Sequence, residues 1–213
     1  MRALALFLCI AGLGLPGCTP ALVIRAQKGD LRGAKLLLAK PVDQETKDEA
    51  LLESILAHHD EVVGLLLDNG ANPEAKNELG ASALALAVMR NESSSVQSLL
   101  EHKAQIATAV ECLKYAGLSV AQLLLDHGLD PAIKDSKGAT GLAYAACDGH
   151  ADLVKLWLDR GVDPAKAGIA CEHSHFDIES VNMICDDTAT ALDCARAKGY
   201  GEIARLLEAA MKK

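Results

Sequence analysis

Aromatic side chains make up only 3% of the 213 residues, with one Trp, three Tyr and two Phe. A core built on large flat rings is therefore excluded, and the apolar mass must come from the Ala and Leu that dominate the chain, as thin, closely packed helices require. Also missing are a nucleophile elbow, a phosphate-cradling glycine loop and a His-Glu-x-x-His pair, so catalysis has no sequence support and no cofactor is implied. Basic charge is scarce: 21 Lys and Arg stand against 29 Asp and Glu, a formal balance of −8. Nucleic-acid binding rests on basic contacts to phosphate and is disfavoured, whereas a basic protein partner suits the acidic surface.

What is present is a repeat. Leu65-Leu66-Leu67-Asp68-Asn69-Gly70-Ala71-Asn72-Pro73 returns as Leu123-Leu124-Leu125-Asp126-His127-Gly128-Leu129-Asp130-Pro131 and as Leu156-Trp157-Leu158-Asp159-Arg160-Gly161-Val162-Asp163-Pro164. A unit of this kind cannot bury its apolar face alone; stacked neighbours complete the core. Upstream of the third copy lies Gly138-Ala139-Thr140-Gly141-Leu142-Ala143-Tyr144-Ala145-Ala146-Cys147-Asp148-Gly149-His150. This stretch resembles the ankyrin inner helix, whose family form is G-x-T-P-L-H-x-A-A-x-x-G-H, and the last two copies are 33 residues apart, the ankyrin period. Thr140 is expected to cap the helix, Leu142, Ala145 and Ala146 to face the core, and Gly149-His150 to turn into the outer helix. Gly141 replaces the family Pro and Ala143 the His, which should loosen the turn without abolishing the fold.

The resemblance covers nearly everything after residue 20 and implies an all-α ankyrin-repeat solenoid of about six helix-turn-helix units with β-turn fingers. Taking Leu36, Leu65, Ser98, Leu123, Leu156 and Leu206 as equivalent, the steps are 29, 33, 25, 33 and 50 residues. The two short steps are expected to trim a finger, and the last exceeds 33 by 17, which puts an insertion at about residues 166–187. Within it, Cys171 and Cys185 are expected to form a disulfide, with a zinc site from these thiols, His173 and His175 as the weaker alternative. Cys112 matches core Ala145 and reads as a small buried hydrophobe; a bridge between Cys147 and Cys194, on neighbouring inner helices, is also open. His58-His59 sits where another unit has Gly149-His150 and reads as turn chemistry. Trp157 occupies an outer-helix Leu position and reads as core, and Ser93-Ser94-Ser95 falls at an interhelical turn.

At the N-terminus, Arg2 and the apolar run Ala3 to Leu15 have the form of a secretory signal, too short for the roughly 20 residues that span a bilayer. Leu15-Pro16-Gly17-Cys18 resembles the bacterial lipobox. That resemblance implies removal of residues 1–17, acylation of Cys18, a short tether at residues 18–20, and a repeat domain at 21–213. It further implies a periplasmic lipid-anchored protein, with Thr19 after the cysteine favouring the outer membrane. Residues 18–42 carry five basic side chains against Asp30 alone, and residues 43–80 carry ten acidic against Lys47 and Lys76. The basic first unit is thus expected near anionic headgroups.

The family generally binds proteins through its fingers and inner helices. The expected contacts are Lys76, Asn77, Glu78 and Leu79 in one finger, Lys134, Asp135, Ser136 and Lys137 in another, and Glu172, Asp177 and Glu179 in the acidic insertion. Two finer roles fit a small acidic envelope lipoprotein: an immunity protein neutralising a secreted toxic enzyme, or a scaffold protecting an envelope enzyme such as a peroxidase.

Overall fold

The computed structural model describes residues 19–168 and 190–212. The apolar run at 3–15, Cys18, Cys171, Glu172, His173, His175, Asp177, Glu179 and Cys185 lie outside them. The chain divides into two compact units, Met1–Ala109 and Val110–Lys213.

The first unit stacks three helix pairs: α1 (Ala21–Gln27) with α2 (Leu31–Leu38), α3 (Gln44–Leu56) with α4 (Asp60–Asp68), and α5 (Ala83–Met89) with α6 (Ser93–Glu101). The second contains α7 (Leu118–Asp126), α8 (Gly141–Asp148), α9 (Ala151–Asp159), α10 (Ala191–Ala197) and α11 (Gly201–Ala210). A 3₁₀ segment at Ile106–Tyr115 takes the place of the fourth inner helix. It coincides with the 25-residue step, where too little chain remains for both a finger and an inner α-helix.

Four of the inner helices start where a short polar side chain satisfies a free backbone N–H, whereas α1 starts after Pro20 with no side-chain cap. Asp43 accepts from Thr46, Ser82 from Ala85 and Thr140 from Ala143, while Thr190 and Asp193 form a reciprocal capping box. Inner and outer helices are joined by one recurring turn, whose apex has positive φ: Gly29 at 65°, His58 at 62°, Asn91 at 56°, Gly149 at 81° and Gly199 at 76°. At every one, the N–H just after the apex donates to the carbonyl five residues earlier, as in Asp30 to Arg25, His59 to Ser54 and Tyr200 to Ala195. This is the six-to-one bond of a Schellman close, and it supplies a residue-level ruler for comparing repeats.

The cores are aliphatic. Leu51, Ile55, Leu66, Leu84 and Leu99 are fully buried in the first unit, and Leu124, Leu142, Leu207 and Trp157 in the second. Each contributes about 1.5–3 kcal/mol relative to exposure. The apolar stripes of α4, α6, α7 and α9 supply half of each layer. α2 is the exception, burying only Ala34 among its eight residues.

Trimming falls where the short steps put it. Residues 39–43 and 102–105 connect helix pairs with no β-bridge, whereas Lys76 bridges Ser82 across a finger. A second bridge pairs Gly168 with Thr190, and the Ala191 N–H donates to the Ala167 carbonyl at 3.0 Å, just as Ala83 does to Ala75 at 2.9 Å. The insertion therefore departs and returns at the base of a finger: 21 residues stand where the earlier finger has five.

The covalent staple seen among the described residues is Cys147–Cys194, joining α8 to α10 with Cα atoms 5.3 Å apart. Cys171 and Cys185, the pair expected from the sequence, lie outside the described residues. Cys112 is free and buried, as its register predicts, and burial pushes its thiol above the ordinary range.

Candidate functional site

In the first unit, the finger is a turn held by its own side chain. Asn77 Oδ1 accepts from the N–H of Leu79 at 3.1 Å and of Ala81 at 2.9 Å, while the Asn77 and Gly80 N–H groups bond the Ala81 and Asn77 carbonyls. Asn77 is half-buried for that reason. Its bonding leaves Leu79 at the apex, 91% exposed, between exposed Glu78 and Gly80, with Lys76 exposed at the base. An apolar side chain so far out buries almost none of its surface within the finger.

The finger of the second unit repeats this design with different chemistry. Asp135 holds Asn77's place, five residues before the helix cap, and accepts from the Lys137 and Ala139 N–H groups at 3.0 and 2.8 Å. Its other oxygen accepts from the Tyr144 hydroxyl. Asp135 is consequently 8% exposed, an internal brace rather than the surface charge its position in sequence suggests. Ser136 is also engaged: its N–H and hydroxyl donate to Glu111 at 2.7 and 2.6 Å. Lys134 and Lys137 remain exposed, and Lys137 stands where the other finger has Leu79. Glu111 and Tyr144 escaped sequence reasoning, since neither belongs to the finger and only the fold brings them to it.

A long acidic ridge accompanies the first finger's unit. α3 has 13 residues against seven in α1 and α5, and places Glu45, Glu49 and Glu53 four apart along one side. Glu49 titrates above its ordinary range, first because of partial burial and then because Glu53, Glu45 and Asp43 repel its charge. The adjoining side of this helix is used structurally: Gln44 donates to the Gly70 carbonyl at 3.0 Å, and Asp48 accepts from the Asn72 N–H at 2.7 Å.

The inter-helix turns are occupied by structural pairs. His59 Nε2 lies 3.1 Å from the Gln27 carbonyl, and a Cβ on Gly29 would fall within 3.0 Å of three atoms of the His59 ring. His58 pairs with the Glu92 carboxylate, and Ser95 donates to Asp60 at 2.6 Å. These contacts join one repeat to the next, which accounts for His58-His59 and for Ser95; the serine run itself opens α6 instead of lying at the turn. In the second unit, a groove of about 590 Å³ is lined by Leu158, Val162 and Pro164 on one side and Leu206 and Met211 on the other.

Comparison with known proteins agrees with this architecture. The family model for ankyrin repeats (three copies) matches residues 22–110 and again 107–212. An ankyrin repeat-containing protein of Treponema pallidum is 26% identical over 126 residues, covering 55% of this chain and 42% of the relative. One from Rickettsia felis is 28% identical over 124 residues, covering 57% and 46%. The chain thus spans less than half the length of these curated relatives. Among solved structures, an ankyrin repeat domain from Acinetobacter baumannii superposes with a TM-score of 0.71 at 23% identity, covering 89% of this chain and 96% of that one. The ankyrin repeat domain of Bcl-3, described as a unique member of the IkappaB family, gives 0.68 at 21%, covering 89% and 85%. The chain belongs to the ankyrin-repeat family.

Proposed function

We propose that this protein is a non-catalytic binding module of the bacterial envelope that captures a protein partner through its fingers and inner helices. The observation that carries the reading is Leu79, 91% exposed on a turn whose backbone is already satisfied by Asn77. A preformed apex loses little ordering entropy on association, so more of its buried area contributes to affinity. In the second unit the exposed Lys134 and Lys137 are separate candidate contacts, and Glu172, Asp177 and Glu179 of the acidic insertion are further ones.

The partner is basic on this reading. Glu45, Glu49 and Glu53 repel one another in the free protein, and a cationic surface relieves that repulsion. An immunity protein, inhibiting a basic toxic enzyme delivered into the periplasm, is the version this charge supports. Acylation of Cys18 would hold it at the outer membrane, and several acyl chains together give stable attachment.

Capture from periplasmic extract by the immobilised chain, read by mass spectrometry, tests the reading. A specific basic partner lost on Leu79→Glu or on joint Glu45→Lys and Glu49→Lys is the expected result. Retention of the same partner by both variants would show that neither finger nor ridge binds it. Recovery of an oxidative-stress enzyme instead would favour the scaffold role.

A further inference from the structure

The turn ruler shows which positions look back at the preceding repeat. The residue five before the apex does: Glu53 accepts from Gln27 at 3.0 Å, and Cys194 bonds Cys147. So does the residue one before it, since Arg90 donates to the Leu56 carbonyl and Lys198 to the Cys147 carbonyl at 2.8 Å. Three residues after the apex, Glu202 meets Lys155 at 3.4 Å. Seven after it, Ser98 Oγ is the nearest atom to a Cβ on Gly64, and Leu206 lines the groove against Leu158.

In the first repeat, whose apex is Gly29, these four positions are Ile24, Lys28, Arg32 and Leu36. Among the described residues no helix pair precedes this one. Leu36 is 66% exposed and Ile24 37%, whereas Leu65, Leu156 and Leu206 at the Leu36 position are half-buried against a neighbour. Terminal repeats ordinarily present a polar outer face, and this one combines two large aliphatics with two cations. The acid nearby, Asp30, is already engaged by Arg25 at 2.6 Å and by the Gly33 N–H. Lys28 and Arg32 form no ion pair among the described residues.

We propose that this open edge of the first repeat docks on an anionic lipid bilayer. Leu36 and Ile24 would enter the headgroup boundary while Lys28 and Arg32 stay at the phosphates, the arrangement by which peripheral helices bind such surfaces. The edge is also where the chain comes from: α1 begins at Ala21, and Thr19 and Pro20 alone separate it from Cys18, a reach of about 10 Å when extended. A second copy packed edge to edge would bring the Lys28 and Arg32 pairs together, which repels rather than attracts. The proposal rests on the envelope reading only through that proximity, and its test separates the two.

The full chain carrying Leu36→Trp, or Ile24→Trp as a second probe, is mixed with vesicles of phosphatidylethanolamine and phosphatidylglycerol bearing brominated acyl chains. Trp157 is 2% exposed and serves as a constant background. The expected result is bromine quenching and a blue shift at Leu36→Trp, absent from Leu79→Trp on the finger, and weaker with phosphatidylcholine alone. Adding Lys28→Gln and Arg32→Gln should weaken the association about thirtyfold, about fivefold for each charge. Leu36→Trp quenched no more than Leu79→Trp, or quenching indifferent to the charges, would overturn the proposal. So would a lipid-free dimer that Leu36→Glu abolishes. Flotation with and without Cys18→Ala reports the anchor separately, because the Leu36 against Leu79 contrast does not depend on it.

Discussion

The indole of Trp157 fills the space that a side chain on Gly141 would need: a Cβ there would lie within 3.0 Å of three indole atoms. Both residues belong to one helix pair, Gly141 at the start of α8 and Trp157 within α9, and Trp157 is 2% exposed. Gly141→Ala is expected to destabilise by about 1–3 kcal/mol, the usual cost of overpacking. Gly141→Ala with Trp157→Leu should be less destabilised than the two single losses added together. Urea unfolding of the four chains measures the coupling, and strict additivity would contradict the packing account.

Closing 47 residues, the Cys147–Cys194 bond should stabilise by about 4 kcal/mol in the chain-entropy model. Reductant, or Cys194→Ser, is therefore expected to lower the melting temperature, with amides of α10 and α11 losing exchange protection first. Peptide mapping without reduction should recover a fragment joining Cys147 to Cys194; its absence from oxidised protein would refute the pairing.

Glu92 sets a pH dependence. Its side chain is 8% exposed, and burial raises its carboxyl above the ordinary 4.5, reinforced by Asp60 and opposed by Ser95, His58 and Arg90. A raised carboxyl favours the folded state while protonated, so its contribution is complete below 4.5 and fades as pH rises through the folded value. Relative to Glu92→Gln, wild type should lose stability across that rise. Parallel profiles from denaturant melts would mean that Glu92 feels no burial. The lowered carboxyls of Asp30, Asp43, Asp126 and Asp163 act oppositely and weaken the fold on acidification, but they cancel in this comparison.

Tyr144→Phe removes the hydroxyl that braces Asp135. The variant should be destabilised by about 1–3 kcal/mol, since the bond is to a charged acceptor of low exposure. Exchange should quicken at the Lys137 and Ala139 amides, whereas a finger as protected as wild type would show that Asn-like bonding by Asp135 suffices alone.

Most of the architecture could be read from residue types, because caps and apices are local. Thr140, Thr190 and Gly149 each act within one turn of helix, and Cys112 took its buried place from register alone. Contacts depending on volume or on a partner elsewhere in the chain could not be read. Gly141 looked like a lost proline, when its meaning is the ring of Trp157. Asp135 and Ser136 looked like surface groups, but Tyr144 and Glu111 hold them inward. The Cys147–Cys194 bond is different, because the repeat register already set both on neighbouring inner helices and left a bridge open, and the fold brings their sulfurs together. The asymmetry of the first repeat needed exposures: Leu36 carries the same letter as Leu65 but is 66% exposed where Leu65 is half-buried.

The bridge between Gly168 and Thr190 has a consequence for how such a protein changes over generations. The pair holds Gly168 and Thr190 to each other, with Val162 before them and Leu192 after them both buried in place. A lineage could change the 21 residues between the paired positions, and an engineer could graft a foreign epitope there, with both ends still anchored by that pair.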